Sequence, residues 1–120
     1  MTLSDINSKG LVLLGCGKMG SAMLAGWLKG GMPPQAVTVL DPQPSDWVQG
    51  LAAKGLNLNT ELPESPAICI IAVKPQMMGD ALPRLQALGG GATVFLSIAA
   101  GTTIAAFERV FGADARIIRA

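Results

Sequence analysis

A chain of 120 residues is the size of one domain, and folding at that length buries roughly two-thirds of the surface that the unfolded chain exposes. A net charge of +1 without a basic cluster argues against a nucleic-acid partner. No apolar stretch approaches the roughly 20 residues that a membrane-spanning helix needs.

Half of the residues are hydrophobic and only 14% are charged, which is apolar for so short a chain. Two arrangements account for this: parallel strands covered on both faces, which read as continuous apolar runs, and surface reserved for a partner domain. The opening MTLSDINSKG lacks the charged-then-apolar order of a secretory signal. Cys16 and Cys69 have no metal-ligand spacing, so reduced thiols and a cytoplasmic place are expected.

In chain order, the polar residues 1–9 read as an N-terminal tail, loose except that Leu3 and Ile6 can dock. Residues 10–15 read as a buried strand. The run LVLLGCGKMG then sets G-x-G-x-x-G, from Gly15 to Gly20, directly after that strand and at the opening of a helix. Gly15 lets the chain reverse off the strand, Gly17 lets a pyrophosphate lie against the backbone, and Gly20 lets the helix approach the sheet. The free N–H groups of the first helical turn, with the helix dipole behind them, face such an anion. The plainer reading is a tight strand-to-helix turn that binds nothing.

The helix is expected from Lys18 to Lys29, with Met19, Ala22, Met23 and Gly26 towards the sheet and Gly30-Gly31 ending it. Pro33-Pro34 lead into a β-branched strand, residues 37–41. Asp41 closes that strand 21 residues after Gly20, where a carboxylate can accept hydrogen bonds from the ribose hydroxyls of an adenosine and repel a 2′-phosphate. No arginine follows until Arg84, so the position leans towards NAD, although Lys18 and Ser45 can serve a phosphate. Asp41-Pro42 can equally be a turn opening.

A second helix runs from an N-cap at Ser45 to Gly55, with Trp47, Val48 and Leu51 as its apolar face. A short strand near Leu56–Leu58 follows, then AICIIAV, residues 67–73, ended sharply by Lys74-Pro75. Met78, Ala81, Leu82, Leu85 and Leu88 share helical spacing, with Pro83 forcing a kink or two short pieces. A fifth strand over 92–98, a helix capped by Thr102 or Thr103 with Ile104, Phe107 and Phe111 inward, and a last strand ARIIR complete the chain.

This alternation predicts an α/β fold: a Rossmann-type, doubly wound, mostly parallel sheet over residues 10–120, in strand order 3-2-1-4-5-6. Ligands of such sheets bind at the carboxyl ends of the strands, where the order reverses. Gly15–Gly20, Asp41 and Lys74-Pro75 all lie at such ends and converge on one crevice.

The stretches LLGCGKMGSAMLAGWL, IIAVKPQ, FLSIAAGTTIAAFE and the closing IIRA together resemble the N-terminal half of pyrroline-5-carboxylate reductase, over nearly all of residues 10–120. AVKPQ and SIAAG are more specific than the glycine fingerprint, which many families share. The resemblance implies reduction of the cyclic imine 1-pyrroline-5-carboxylate to L-proline with NADPH or NADH. It also implies a further, all-helical C-terminal domain, not within this chain, that builds a homo-oligomer and completes the active site. Gly15, Cys16, Gly17, Lys18, Met19 and Gly20 match the family's pyrophosphate loop. Ala72, Val73, Lys74 and Pro75 match the segment that lines the cofactor towards the nicotinamide, and Asn59 matches a cofactor-contacting asparagine. Ala99, Ala100 and Gly101 fall where backbone comes close to nicotinamide and substrate.

Other readings of these residues stay open. Lys74 can be a solvated strand-end lysine, and Asn59 an ordinary turn residue. With no histidine and no tyrosine, the commonest general acids are missing, so no catalytic residue is assigned and the 120 residues alone are expected to bind cofactor weakly and reduce nothing. Two alternatives differ in class: another NAD(P)-dependent dehydrogenase of the hydroxyisobutyrate or phosphogluconate type, and a non-catalytic NAD(H)-sensing regulatory domain.

Overall fold

The run LVLL at residues 11–14 forms strand β1, and all four of its side chains are buried. A computed structural model describes residues 3–15, 17–63, 66–73, 79, 82–88, 93–98, 104–112 and 115–119. Around β1 lie β2 (Val37–Leu40), β3 (Asn57–Leu58), β4 (Ile68–Ile71), β5 (Val94–Ser97) and β6 (Arg116–Arg119). The described strands form a six-stranded sheet in the order β3-β2-β1-β4-β5-β6, and every pairing is parallel, as the alternation predicts. Registers are even: Leu14 stands beside Leu40 on one side and Ile71 on the other.

Because strand side chains alternate between faces, β1 feeds two cores. Leu11 and Leu13 join Val37, Val39 and Ile70 on one face, covered by Leu24, Val48 and Leu51 from helices α2 (Lys18–Lys29) and α3 (Asp46–Ala52). Val12 and Leu14 join Cys69, Ile71 and Phe95 on the other face. There Phe107 and Phe111 of helix α4 (Ile104–Phe111) provide cover, with Phe111 stacked on Phe95 at 4.1 Å between ring centroids.

Four expectations need correction. Residues 3–9 are not a loose tail: Leu3–Lys9 form helix α1, Ile6 packs on the first core, and the helix stops at Gly10, whose φ of +98° few other residues tolerate. The Gly10 N–H closes that end by donating to the Ile6 carbonyl at 2.7 Å. Helix α2 has the predicted bounds, and Gly20 and Met23 face the sheet as expected, but the rest of its inward face differs. Leu24, one turn on, is fully buried, whereas Ala22 and Gly26 are exposed. Trp47 is 43% exposed, while Val48 and Leu51 of the same helix are buried.

The segment around Pro83 is not α-helical but a 3-10 stretch, Leu82–Leu88, whose three-residue turn brings Leu82, Leu85 and Leu88 onto one buried face. The expected caps Thr102 and Thr103, and Met78 and Ala81, lie outside the described residues. Among the described residues no helix is long and apolar enough to cross a membrane.

Candidate functional site

At the carboxyl edge of the sheet, β1 ends in Gly15, whose N–H donates to the Leu40 carbonyl at 2.8 Å while Ala72 N–H donates to the Leu14 carbonyl at 2.9 Å. The turn therefore starts pinned between β2 and β4. Gly15 has φ +85°, and a β-carbon there would stand 2.7 Å from Val73 Cγ1 and 3.2 Å from the Ala72 backbone. A β-carbon on Gly20 would stand 2.9 Å from the Gly15 carbonyl oxygen. Both glycines are demanded by the protein's own packing.

Gly17 is different. Its φ of −75° suits any residue, and among the described residues a β-carbon on it would meet nothing within 4 Å. The space that this glycine keeps open is an open cleft of about 750 Å³, lined by Gly15, Gly17, Lys18, Asp41, Ala72 and Val73 among the predicted residues. Ser45 lines it as well, together with Ser21, Pro42 and Gln43, which the sequence reading did not single out as site residues. A serine one helical turn beyond Gly17 and a turn that begins at Asp41 were the available signals.

Gly17 is the N-cap of α2 and supplies no side-chain cap; the first turn holds no acidic residue and begins with a lysine. The first intrahelical bond of this turn runs from Ser21 N–H to the Gly17 carbonyl at 2.8 Å. The N–H groups of Lys18, Met19 and Gly20 come before it and have no partner within the helix. A lysine at the positive end of a helix dipole opposes stability by about 0.3–1 kcal/mol. An uncapped, cationic helix start facing an open cleft is chemistry for an anion.

Asp41 lies just past β2, on the far side of the same cleft. Its Oδ1 accepts from the Gln43 N–H at 2.9 Å, so the turn-opening reading is realised while the residue also faces the cleft. Asn59 is not among the residues lining the cleft: its side-chain amide holds the Asp41 backbone, with Oδ1 accepting from the Asp41 N–H and Nδ2 donating to the Asp41 carbonyl, both at 2.8 Å. Cys16, Lys74 and Pro75, with Ala99, Ala100 and Gly101, lie outside the described residues, as does the side chain of Met19. Cys69 is buried between strands, and desolvation pushes its thiol far above the ordinary range, which makes it a packing residue rather than a nucleophile. Among the described residues no group of three or more acidic, cysteine or histidine side chains is placed to hold a metal.

The strand order and the glycine turn at the switch point define a Rossmann-type domain. Residues 10–101 match the family described as NADP oxidoreductase, coenzyme F420-dependent, and the chain belongs to that family. It is 35% identical over 117 residues to a pyrroline-5-carboxylate reductase of Escherichia coli strain K12, covering 93% of this chain and 43% of that protein. The fold is shared with a pyrroline-5-carboxylate reductase of Coxiella burnetii (TM-score 0.79, 20% identity, 92% of this chain and 43% of that one). It is also shared with a Plasmodium falciparum pyrroline carboxylate reductase with NADP bound (TM-score 0.74, 22% identity, 94% and 42%). The chain thus spans about two-fifths of the length of the curated relatives it matches.

Proposed function

We propose that the chain is the cofactor-holding domain of an NAD(P)H-dependent reductase that adds hydride to the cyclic imine 1-pyrroline-5-carboxylate and so yields L-proline. The observation that carries this reading is Gly17: among the described residues nothing needs its missing β-carbon, and the space it leaves lies between an uncapped helix start and Asp41. A dinucleotide needs those three features, at its pyrophosphate and at its ribose. The imine substrate comes from the likeness to the curated reductases. The reaction is assigned to the assembled enzyme, proposed as a homo-oligomer of the cytoplasm.

A bound nicotinamide supplies the hydride, which the imine carbon accepts while the ring nitrogen keeps the proton of the protonated imine. The chain's own part is to bind and orient. The first-turn N–H groups of α2 and Lys18 hold the pyrophosphate, Asp41 accepts from the ribose hydroxyls, and Ala72 and Val73 form a wall leading towards the hydride-bearing ring. On the resemblance to the reductases, Lys74, Pro75, Ala99, Ala100 and Gly101 are assigned to the nicotinamide end of the cofactor. Holding the two reactants face to face is the whole of the catalytic contribution this part makes.

Titration with NADH and NADPH, followed by quenching of Trp27 and Trp47, tests the reading. Saturable binding is expected, with NADH the tighter because the Asp41 carboxylate repels a 2′-phosphate. Absence of binding for both at millimolar concentration would overturn it. In an imine-reduction assay the enzyme with its helical domain is expected to turn over and the 120-residue chain alone is not; turnover by the latter would overturn the two-domain assignment.

A further inference from the structure

We infer that Asn59 is a positioning residue for the ribose end of the cleft, acting through Asp41; this deepens the dinucleotide reading and rests on it. Strand β3 is two residues long and stands at the edge of the sheet, so its ladder to β2 ends at the pair Val39 and Leu58. The Asn59 N–H still donates to the Val39 carbonyl at 2.7 Å. There the backbone leaves the sheet through the left-handed region, φ +53°, a conformation that among the described residues no other non-glycine takes.

Where the backbone departs, the side chain takes over. A carboxamide carries the same donor and acceptor as a peptide group, and Asn59 offers both to Asp41: Oδ1 to its N–H and Nδ2 to its carbonyl, each at 2.8 Å. The partners fix the orientation of the amide, because a backbone N–H only donates and a carbonyl only accepts. The sheet thereby gains one more rung after its edge strand has ended. That rung lies at Asp41, which lines the cleft.

Both backbone groups of Asp41 are held, and its Oδ1 accepts from the Gln43 N–H, which closes the turn that presents Gln43 and Ser45. The clamp is exposed, where a hydrogen bond contributes little to stability, so its consequence is aim rather than strength. A carboxylate reads a ribose diol only if it is held within about half an ångström, and two-residue β3 alone does not hold it there.

The test is Asn59→Gly, because glycine adopts φ +53° without strain and only the clamp is deleted. Binding of NADH is compared with binding of the analogue that lacks the 2′-hydroxyl on the adenosine ribose. The native chain is expected to hold NADH about tenfold tighter, the equivalent of one charge-assisted hydrogen bond. In Asn59→Gly that ratio is expected to fall towards one, while the thermal midpoint and the affinity for inorganic pyrophosphate stay near native. If both nucleotides weaken together and the ratio survives, Asn59 merely supports the fold and the inference is overturned. Equal binding of the two by the native chain would overturn it too, and would leave the dinucleotide reading standing. Failure of the native chain to bind NADH would remove both.

Discussion

A β-carbon added at Gly20 would stand 2.9 Å from the Gly15 carbonyl oxygen, a backbone atom that cannot swing aside. Gly20→Ala therefore pushes α2 away from the sheet against the grip of fully buried Leu24, and urea denaturation should show a loss of about 1–3 kcal/mol. The same change at Gly17 meets nothing within 4 Å among the described residues and sits at an ordinary φ of −75°. Gly17→Ala should leave stability within about 0.5 kcal/mol, because it is a surface change with no strain to relieve or create. Its NADH affinity should nevertheless fall at least tenfold, since a methyl group then occupies the ground of the pyrophosphate (about 1.4 kcal/mol is a factor of ten). Equal stability losses in the two variants would mean that the turn serves folding alone. The motif's spacing assigns these separate roles, and the neighbours of each missing β-carbon agree with the assignment.

Among the elements, α3 joins folding to the site through one residue. Ser45 caps the helix, its Oγ accepting from the Val48 N–H at 3.3 Å, and the same residue lines the cleft. Ser45→Ala should cost about 1 kcal/mol in denaturant unfolding, the usual worth of an N-cap, with α3 fraying first in hydrogen exchange. The start of this helix was legible because a cap is local chemistry: Ser45 and Asp46 announce it. Helix faces were less legible. For α2 the apolar residues Met19, Ala22, Leu24, Trp27 and Leu28 surround so much of the cylinder that periodicity leaves the phase open, and contact of Gly20 with the Gly15 turn decides it. For α3, Trp47 has an apolar ring yet stands exposed beside buried Val48. In α1 the Lys9-Gly10 stop signal was present, yet a seven-residue helix has too little pattern to stand out from a polar tail. Asn59 was named in the sequence for a cofactor contact; its hold on Asp41 could not be read there, since it joins residues 18 apart through the register of an edge strand.

At the scale of the whole molecule the strand order was the most legible feature, because right-handed crossovers and parallel pairing leave few arrangements for this alternation of elements. Its consequence is that β4 lies between β1 and β5, with Cys69 in register with Val12 on one side and Phe95 on the other and fully buried. Desolvation there raises the thiol far above its ordinary pKa. In the unfolded chain the same thiol ionises near pH 8.5, by the usual cysteine value. The native state keeps its proton where the unfolded state releases one. This contribution to stability is therefore fully present below about pH 8.5 and declines as pH rises through and beyond it, with a limiting slope of about 1.4 kcal/mol per pH unit. No tyrosine is present to titrate in that range. Urea unfolding at pH 7.5 and pH 9.5 should then differ by about 1 kcal/mol, with the higher pH less stable. Cys69→Ala is less stable at both pH values for want of packing, but the difference between them should shrink to a few tenths of a kcal/mol. A pH difference undiminished in that variant would place the responsible proton on another group.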